Sequence, residues 1–203
     1  MPAKLDDASR AQLEQNKLFT PKFVWIVFVL TEFITFFDRG AVSGALQQIR
    51  QDSKIAGGPD QILDGTRAGL LTSMFITGFL IFSPIFTALA GKFTTRTLLV
   101  AGSLLWLFSV LLSGAAPNYP TLVFARCVTG VGEAAYTPFM VTIIDNIAPV
   151  KSRTLWIGIW YAMIAFGTAF GMGVGAVVSS KVELSDGTPG WRLIFYLETI
   201  FGA

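Results

Sequence analysis

Histidine is absent from this 203-residue sequence and cysteine occurs once, as Cys127. Disulfide frameworks, Cys/His zinc sites and nucleophile–histidine pairs are thereby excluded. No catalytic set, cofactor site or metal site is expected, so proton chemistry near neutral pH falls to carboxylates. Charge is scarce as well: Asp, Glu, Lys and Arg make up 14% of the residues, against about 25% in soluble domains. The formal net charge is only +2 and no run of five or six basic residues occurs, which argues against a nucleic-acid partner. What fills the chain instead is apolar: 53% of it is hydrophobic. The fold class expected is an all-α integral membrane protein with membrane lipid as its surroundings.

A bilayer core about 30 Å thick takes about 20 apolar residues of helix. Five stretches meet that length, near Lys22–Ala45, Ala68–Ala90, Thr97–Ala115, Thr121–Ile147 and Thr154–Ser180. Pro, Gly or charged residues bound each of them. A sixth starts at Trp191, but up to Ala203 it offers only about 20 Å of helix. A bundle of five full spans and a truncated sixth is expected over 22–203, incomplete at its C-terminus. Residues 1–21 read as a polar tail without a signal peptide's apolar core. The segment Gln47–Thr66 is the one long connection, with a turn at its "GGPDQ" centre and Asp64 or Thr66 as cap of the second span.

Orientation follows from the basic residues of the loops. With the N-terminus cytoplasmic, the inner segments hold Lys4, Arg10, Lys17, Lys22, Lys92, Arg96, Lys151 and Arg153. The outer ones hold Arg50, Lys54, Arg67, Lys181 and Arg192. The bias is moderate, and nothing in the loops indicates which membrane is occupied.

Within the spans lie Glu32, Asp38 and Arg39 on the first and Arg126 and Glu133 on the fourth. A charge facing lipid costs about 2.5–3.5 kcal/mol even on insertion scales, so these residues are expected to face one another or a wet cavity. Counted from Lys22 at 1.5 Å per residue, Glu32 sits about 15 Å along its helix and Asp38 about 24 Å along. The fourth helix runs the other way. Arg126 then falls in the outer third and Glu133 near the midplane, giving one layer of Asp38 with Arg126 and another of Glu32 with Glu133. Two readings are open at this point. In one, Asp38, Arg126 and Arg39 form a gating ion pair and a midplane carboxylate, Glu133 first and Glu32 second, carries a proton with Asp38. In the other, the charges only hold helices together.

Gly130 and Gly132 flank Glu133, and Gly167, Gly171 and Gly175 recur every fourth residue of the fifth span. This is the spacing of close helix contacts in membranes. No strand precedes the glycines and no acidic ribose ligand follows, so a nucleotide site is excluded. Pro84 and Pro138 are expected to kink their helices.

Taken together, "FFDRGAVSGALQQI", "AGLLTSMFITGFLIFSPIFTALAGKF", "FARCVTGVGEAAYTPFMVTIIDNIAPVKSRTL" and "GWRLIFYLE" resemble the major facilitator superfamily, and within it the Spinster-like branch. The resemblance covers nearly all residues after about Phe23; its most specific parts are the Asp38–Arg39 pair and the pattern from Arg126 to Ala134. It implies half of a twelve-helix alternating-access carrier whose substrate lies between two six-helix halves. It also implies an amphipathic lipid substrate, such as a lysophospholipid or sphingoid lipid, and proton coupling. Asp38, Arg126 and Glu133 match the family's coupling and gating charges, and Arg39 the second member of its Asp-Arg pair. The loop after the second helix departs from the family pattern: Gly91 replaces its Asp and Thr87 its leading Gly. Lys92 and Arg96 keep the loop basic, and Asp145 is placed to meet Arg96 or Arg153 as a cytoplasmic gate.

Alternatives within reach of the same residues are an organic anion symporter of that superfamily, moving an anionic substrate, and a truncated, non-transporting half that acts as an interaction partner for a second transporter half. An enzyme is not expected, because no nucleophile–base pair or metal cluster is visible. Opposite signs within the spans argue against a channel with a ring of like charge.

Overall fold

Residues 20–58, 61–182 and 187–202 are described by a computed structural model of the chain. They form helices α1 (Pro21–Gln51), α2 (Ser53–Ala56), α3 (Gly65–Leu89), α4 (Thr95–Ala115), α5 (Tyr119–Ala134), α6 (Thr137–Ile147), α7 (Arg153–Lys181) and α8 (Gly190–Gly202). Up to residue 19 the expected tail, with Lys4, Arg10 and Lys17, lies outside the described residues, as do 59 and 60 of the "GGPDQ" turn.

Local chemistry explains most of the helix ends. Thr20 accepts from Phe23 N at 3.4 Å ahead of a proline at the first turn of α1, Thr94 from Thr97 N at 3.3 Å, and Asn118 from Thr121 N at 3.0 Å. Each side-chain oxygen satisfies an amide that the first turn leaves unpaired. Of the two caps offered for the second span, Asp64 is the one used, accepting from Arg67 N at 2.7 Å.

The first helix runs six residues past the expected Ala45 limit, through the polar Gln47, Gln48 and Arg50. Tertiary burial overrides their polarity: Ile49 is buried, and Arg50 is tied to Leu63 in both directions. Leu63 N donates to the Arg50 carbonyl at 2.9 Å and Arg50 Nε donates to the Leu63 carbonyl at 2.9 Å. The long connection is thus a folded cap that contains α2, closed by Gly57 in the left-handed region at φ 100°, a conformation glycine adopts without Cβ strain.

Among the described residues, four segments suffice by length and composition to cross a membrane: Gly65–Leu89, Thr95–Ala115, Tyr119–Ile147 and Arg153–Lys181. The first expected span, α1, is long enough at 31 residues, but Glu32, Asp38 and Arg39 set it apart from a purely apolar span. The expected fourth span is two helices, α5 and α6, interrupted at Ala135 and Tyr136 with a proline in the first turn of α6. Where a kink was expected at Pro138, the helix is interrupted just before it, in keeping with a proline that has no amide to donate. Pro84, by contrast, lies inside α3, which continues to Leu89.

The helices pack as pairs, α1 on α7 and α3 on α5, with α5 also against α4 and α4 against α8. Glycine makes the pairs close. A Cβ at Gly40 or Gly44 would strike the carbonyls of Thr168 or Met172, and one at Gly171 or Gly175 those of Phe37 or Ala41. The two backbones therefore touch where the glycine spacing places them. Gly130 lies on Phe75 of α3 and Gly132 on Trp106 of α4, which locks α5 between its neighbours. In lipid, where apolar side chains gain little by leaving the solvent, this backbone proximity is a main source of association.

Candidate functional site

Two successive residues of α1 serve two different places. Asp38 and Arg39 project about 100° apart around a helix of 3.6 residues per turn. Asp38 faces α5, where Arg126 Nη1 donates to its two oxygens at 2.8 and 3.0 Å. The other side of the guanidinium is fixed by Ser113 of α4, which accepts from Nη2 at 3.0 Å and from Nε at 3.3 Å. The ring of Phe195 on α8 lies 4.9 Å from its central carbon. Asp38 and Arg126 are both buried, so the pair is charge-assisted, chelated and dry. The layer expected from depth alone, Asp38 with Arg126, is present.

Arg39 does not join that pair. Its Nη2 donates to Glu133 Oε1, which separates Arg39 from the Asp38–Arg126 pair and adds it to the layer of Glu32 and Glu133. Side chains on a helix lean toward its N-terminus; for α1 that direction leads from the level of Arg126 toward that of Glu133. The guanidinium sits between two rings, 4.2 Å from the centroid of Phe36 and 4.4 Å from that of Phe75, a cation–π sandwich that holds it in place. Glu133 and Glu32 are buried, and one oxygen of each, Oε2, has no hydrogen-bond partner.

Glu32, Arg39 and Glu133 share the wall of a cavity of about 400 Å³ between α1, α3, α5–α6 and α7. Its remaining lining is mostly apolar and aromatic, including Phe79, Trp160 and Tyr161. That volume lies within the 300–1,000 Å³ range of ligand sites. A smaller cavity of about 250 Å³ lies between α1, α4 and α8. Beside it the hydroxyls of Thr35 and Tyr136 are hydrogen bonded at 3.0 Å, closing α1 onto the break between α5 and α6.

Of the four residues expected at the cytoplasmic gate, the structure joins two. Arg153 donates through Nε and Nη2 to both oxygens of Asp145, across the turn between α6 and α7. Lys92 and Arg96 make no ion pair among the described residues, so Asp145 meets Arg153 and not Arg96.

Two groups of site-forming residues escaped the sequence reading. At the far end of the bundle, Asp52 Oδ2 accepts from Trp191 Nε1 at 3.1 Å and from Arg192 Nη2 at 3.2 Å. Arg192 Nη1 also donates to the carbonyls of Gly114 at 3.0 Å and Ala116 at 2.6 Å. Arg192 was read as an outer basic residue, and Asp52, inside the Gln47–Thr66 connection, was not singled out. The second is Glu198, buried on α8 in a helix set aside as too short to span. The signal was there: a carboxylate inside "RLIFYLETIF" is as conspicuous as Glu32 in the first span.

The described helices thus form a bundle in which buried ion pairs cross between helices beside a charged, aromatic cavity. The chain belongs to the major facilitator superfamily, whose sequence profile matches residues 28–203, and its similarity runs to the Spinster-like branch. It is 30% identical over 198 residues to the probable sphingolipid transporter spinster homolog 1 of Arabidopsis thaliana, covering 92% of this chain and 38% of that one. To the sphingosine-1-phosphate transporter SPNS2 of Mus musculus it is 31% identical over 169 residues, 82% of this chain and 29% of that one. Among solved structures, a bacterial homologue of the human lysosomal transporter Spinster, inward-facing and unoccupied, superposes with a TM-score of 0.76 at 20% identity. That match covers 90% of this chain and 40% of the other and speaks to the fold. The chain thus spans well under half the length of these relatives.

Proposed function

We propose that the chain forms the N-terminal half of an alternating-access carrier that moves an amphipathic lipid, of the lysophospholipid or sphingoid kind, and couples its movement to protons. The observation that carries this reading is the mixed chemistry of the larger cavity. One guanidinium and two carboxylates, Arg39, Glu32 and Glu133, stand beside aromatic walls. A headgroup bearing phosphate and ammonium finds a partner for each sign there, and the aromatic walls suit the first part of an acyl chain. Spinster relatives named as sphingolipid and sphingosine-1-phosphate transporters support a substrate of that class.

A second helical half supplies the facing wall and completes the path. Within this half, Glu133 and then Glu32 are the proton-binding carboxylates, and the Asp38–Arg126 pair opens and closes with conformation. Asp145 and Arg153 form the inner latch in a protein whose N-terminus is cytoplasmic, with Lys92 and Arg96 as basic residues of the same surface.

The test is uptake of a fluorescent lysophospholipid into proteoliposomes that contain the protein, with an aromatic carboxylate as the competing substrate. Saturable lipid movement driven by an imposed proton gradient is expected. Movement of the carboxylate alone would assign the protein to organic anions, and movement of neither would overturn the carrier reading.

A further inference from the structure

Arg126 is shared by more than one carboxylate. Asp38 is 1% exposed, Arg126 3% and Glu198 3%, and the charged neighbours acting on Glu198 are Asp38 and Arg126. Phe195, one turn before Glu198 on α8, stacks on the same guanidinium. Yet the hydrogen-bonding capacity of Arg126 is directed elsewhere, to the two oxygens of Asp38 and to Ser113. No N–H or O–H donor reaches either oxygen of Glu198, and its carboxyl group stands beside that of Asp38.

One guanidinium neutralises one carboxylate. With both acids ionised, the cluster would carry an uncompensated negative charge in a dry interior and leave a buried carboxylate without a donor, an arrangement that costs several kcal/mol. A proton on Glu198 removes both defects, because the carboxylic acid gains an O–H to donate to Asp38, which already accepts from Arg126.

Among the described residues no other countercharge faces Glu198. From α1 the facing group is Asp38, from α5 Arg126, and from α4 the Ser113 hydroxyl already held by Arg126. Helix α7 carries charge only at its ends, Arg153 and Lys181, and its Tyr161 lines the larger cavity. On α8 itself Arg192 is engaged by Asp52 and two carbonyls.

We infer that Glu198 is a proton-binding site that controls the Asp38–Arg126 pair: protonated, it donates to Asp38 and the pair stays closed; ionised, it competes with Asp38 for Arg126 and loosens α1 from α5. The proton comes from water and returns to water, with no other bond made or broken. As a part of transport this rests on the carrier reading, whereas the protonation itself is open to measurement without substrate.

The experiment is infrared spectroscopy of the purified protein in nanodiscs across a pH titration, following the C=O stretch of protonated carboxylic acid and its shift in heavy water. The unmodified protein is expected to show such a band at neutral pH, Glu198→Gln to lose that component, and Glu133→Gln to retain it. Gln keeps the size and a donor toward Asp38, so folding should survive; Glu198→Asp, as a second variant, should keep a band with a displaced pH midpoint. A band component that both Glu198 variants leave untouched would overturn the proposal. If the band belongs to Glu198 and lipid uptake is nevertheless absent, the proton site stands and the carrier reading falls.

Discussion

Arg39 and Glu133 join α1 to α5 one residue along α1, but two turns along α5, from the contact in which Asp38 meets Arg126. The two ion pairs differ in surroundings. The side chain of Arg39 is 31% exposed while that of Arg126 is 3% exposed. One pair therefore borders the larger cavity, and the other is sealed inside the bundle. Disturbing them should have different consequences.

For the cavity pair, Glu133→Gln removes a charge but keeps the shape. Arg39 remains between Phe36 and Phe75 with access to water, so the protein should fold. Uptake driven by a proton gradient should be lost while substrate exchange without a gradient persists, if Glu133 is the coupling carboxylate. Parallel measurement of gradient-driven uptake and exchange in proteoliposomes checks this; unchanged gradient-driven uptake would remove Glu133 from the coupling role.

For the sealed pair the effect should be on stability. Arg126→Ala leaves Asp38 buried without the donor that its two oxygens share, and breaking such a pair costs about 3–5 kcal/mol. Arg126→Lys should recover only part of this, because an ammonium cannot span Asp38 and Ser113 together as the planar fork does. The combined variant Asp38→Asn with Arg126→Gln should lose less than Arg126→Ala alone, since no unpaired charge is left. Thermal unfolding in detergent orders the three variants.

The sequence revealed the spans, the glycine seam and the Asp38–Arg126 layer because each follows from spacing along one helix or from depth in the bilayer. Arg39 to Glu133 was not legible, since depth counts Cα positions and a long arginine leans about a turn toward its helix N-terminus. The helical continuation from Leu46 to Gln51 was hidden for another reason. Gln47, Gln48 and Arg50 read as loop, and only the tertiary bonds between Arg50 and Leu63 show why they remain helical. Glu198 was passed over and Arg192 counted only as an outer basic residue because the last helix was read as too short to span, although a short helix buries whatever face it packs on its neighbours.

The Asp52 cluster leads to a prediction about α8. Asp52 is the acceptor that Trp191 and Arg192 share, and its other oxygen caps α2 through Lys54 N at 2.9 Å. Asp52→Ala should free the start of α8 without touching the cavity. Hydrogen exchange should then accelerate over 190–196 and around 53–57, while amides near Glu133 keep their protection. Uniform acceleration along the chain would show that this end of the bundle does not behave as a separate fastening.

The α1–α7 seam yields the sharpest comparison, because two glycines two residues apart face opposite ways. At Gly171 an added Cβ would meet the carbonyl of Phe37, whereas at Gly173 it would have nothing within 4 Å. Gly171→Ala must push two backbones apart, and neither can yield as a flexible side chain would. Gly173→Ala meets no obstacle and gains helix propensity, about 0.5–1 kcal/mol. The first variant should therefore lower the unfolding temperature and broaden the size-exclusion peak, and the second should leave both unchanged or slightly improved. Equal losses in the two would mean that the glycines serve helix flexibility, which every glycine of α7 would share. A loss confined to Gly171 would place the role in backbone contact between α1 and α7, the helix pair that carries Glu32, Asp38 and Arg39 on one side and the wall of Trp160 and Tyr161 on the other.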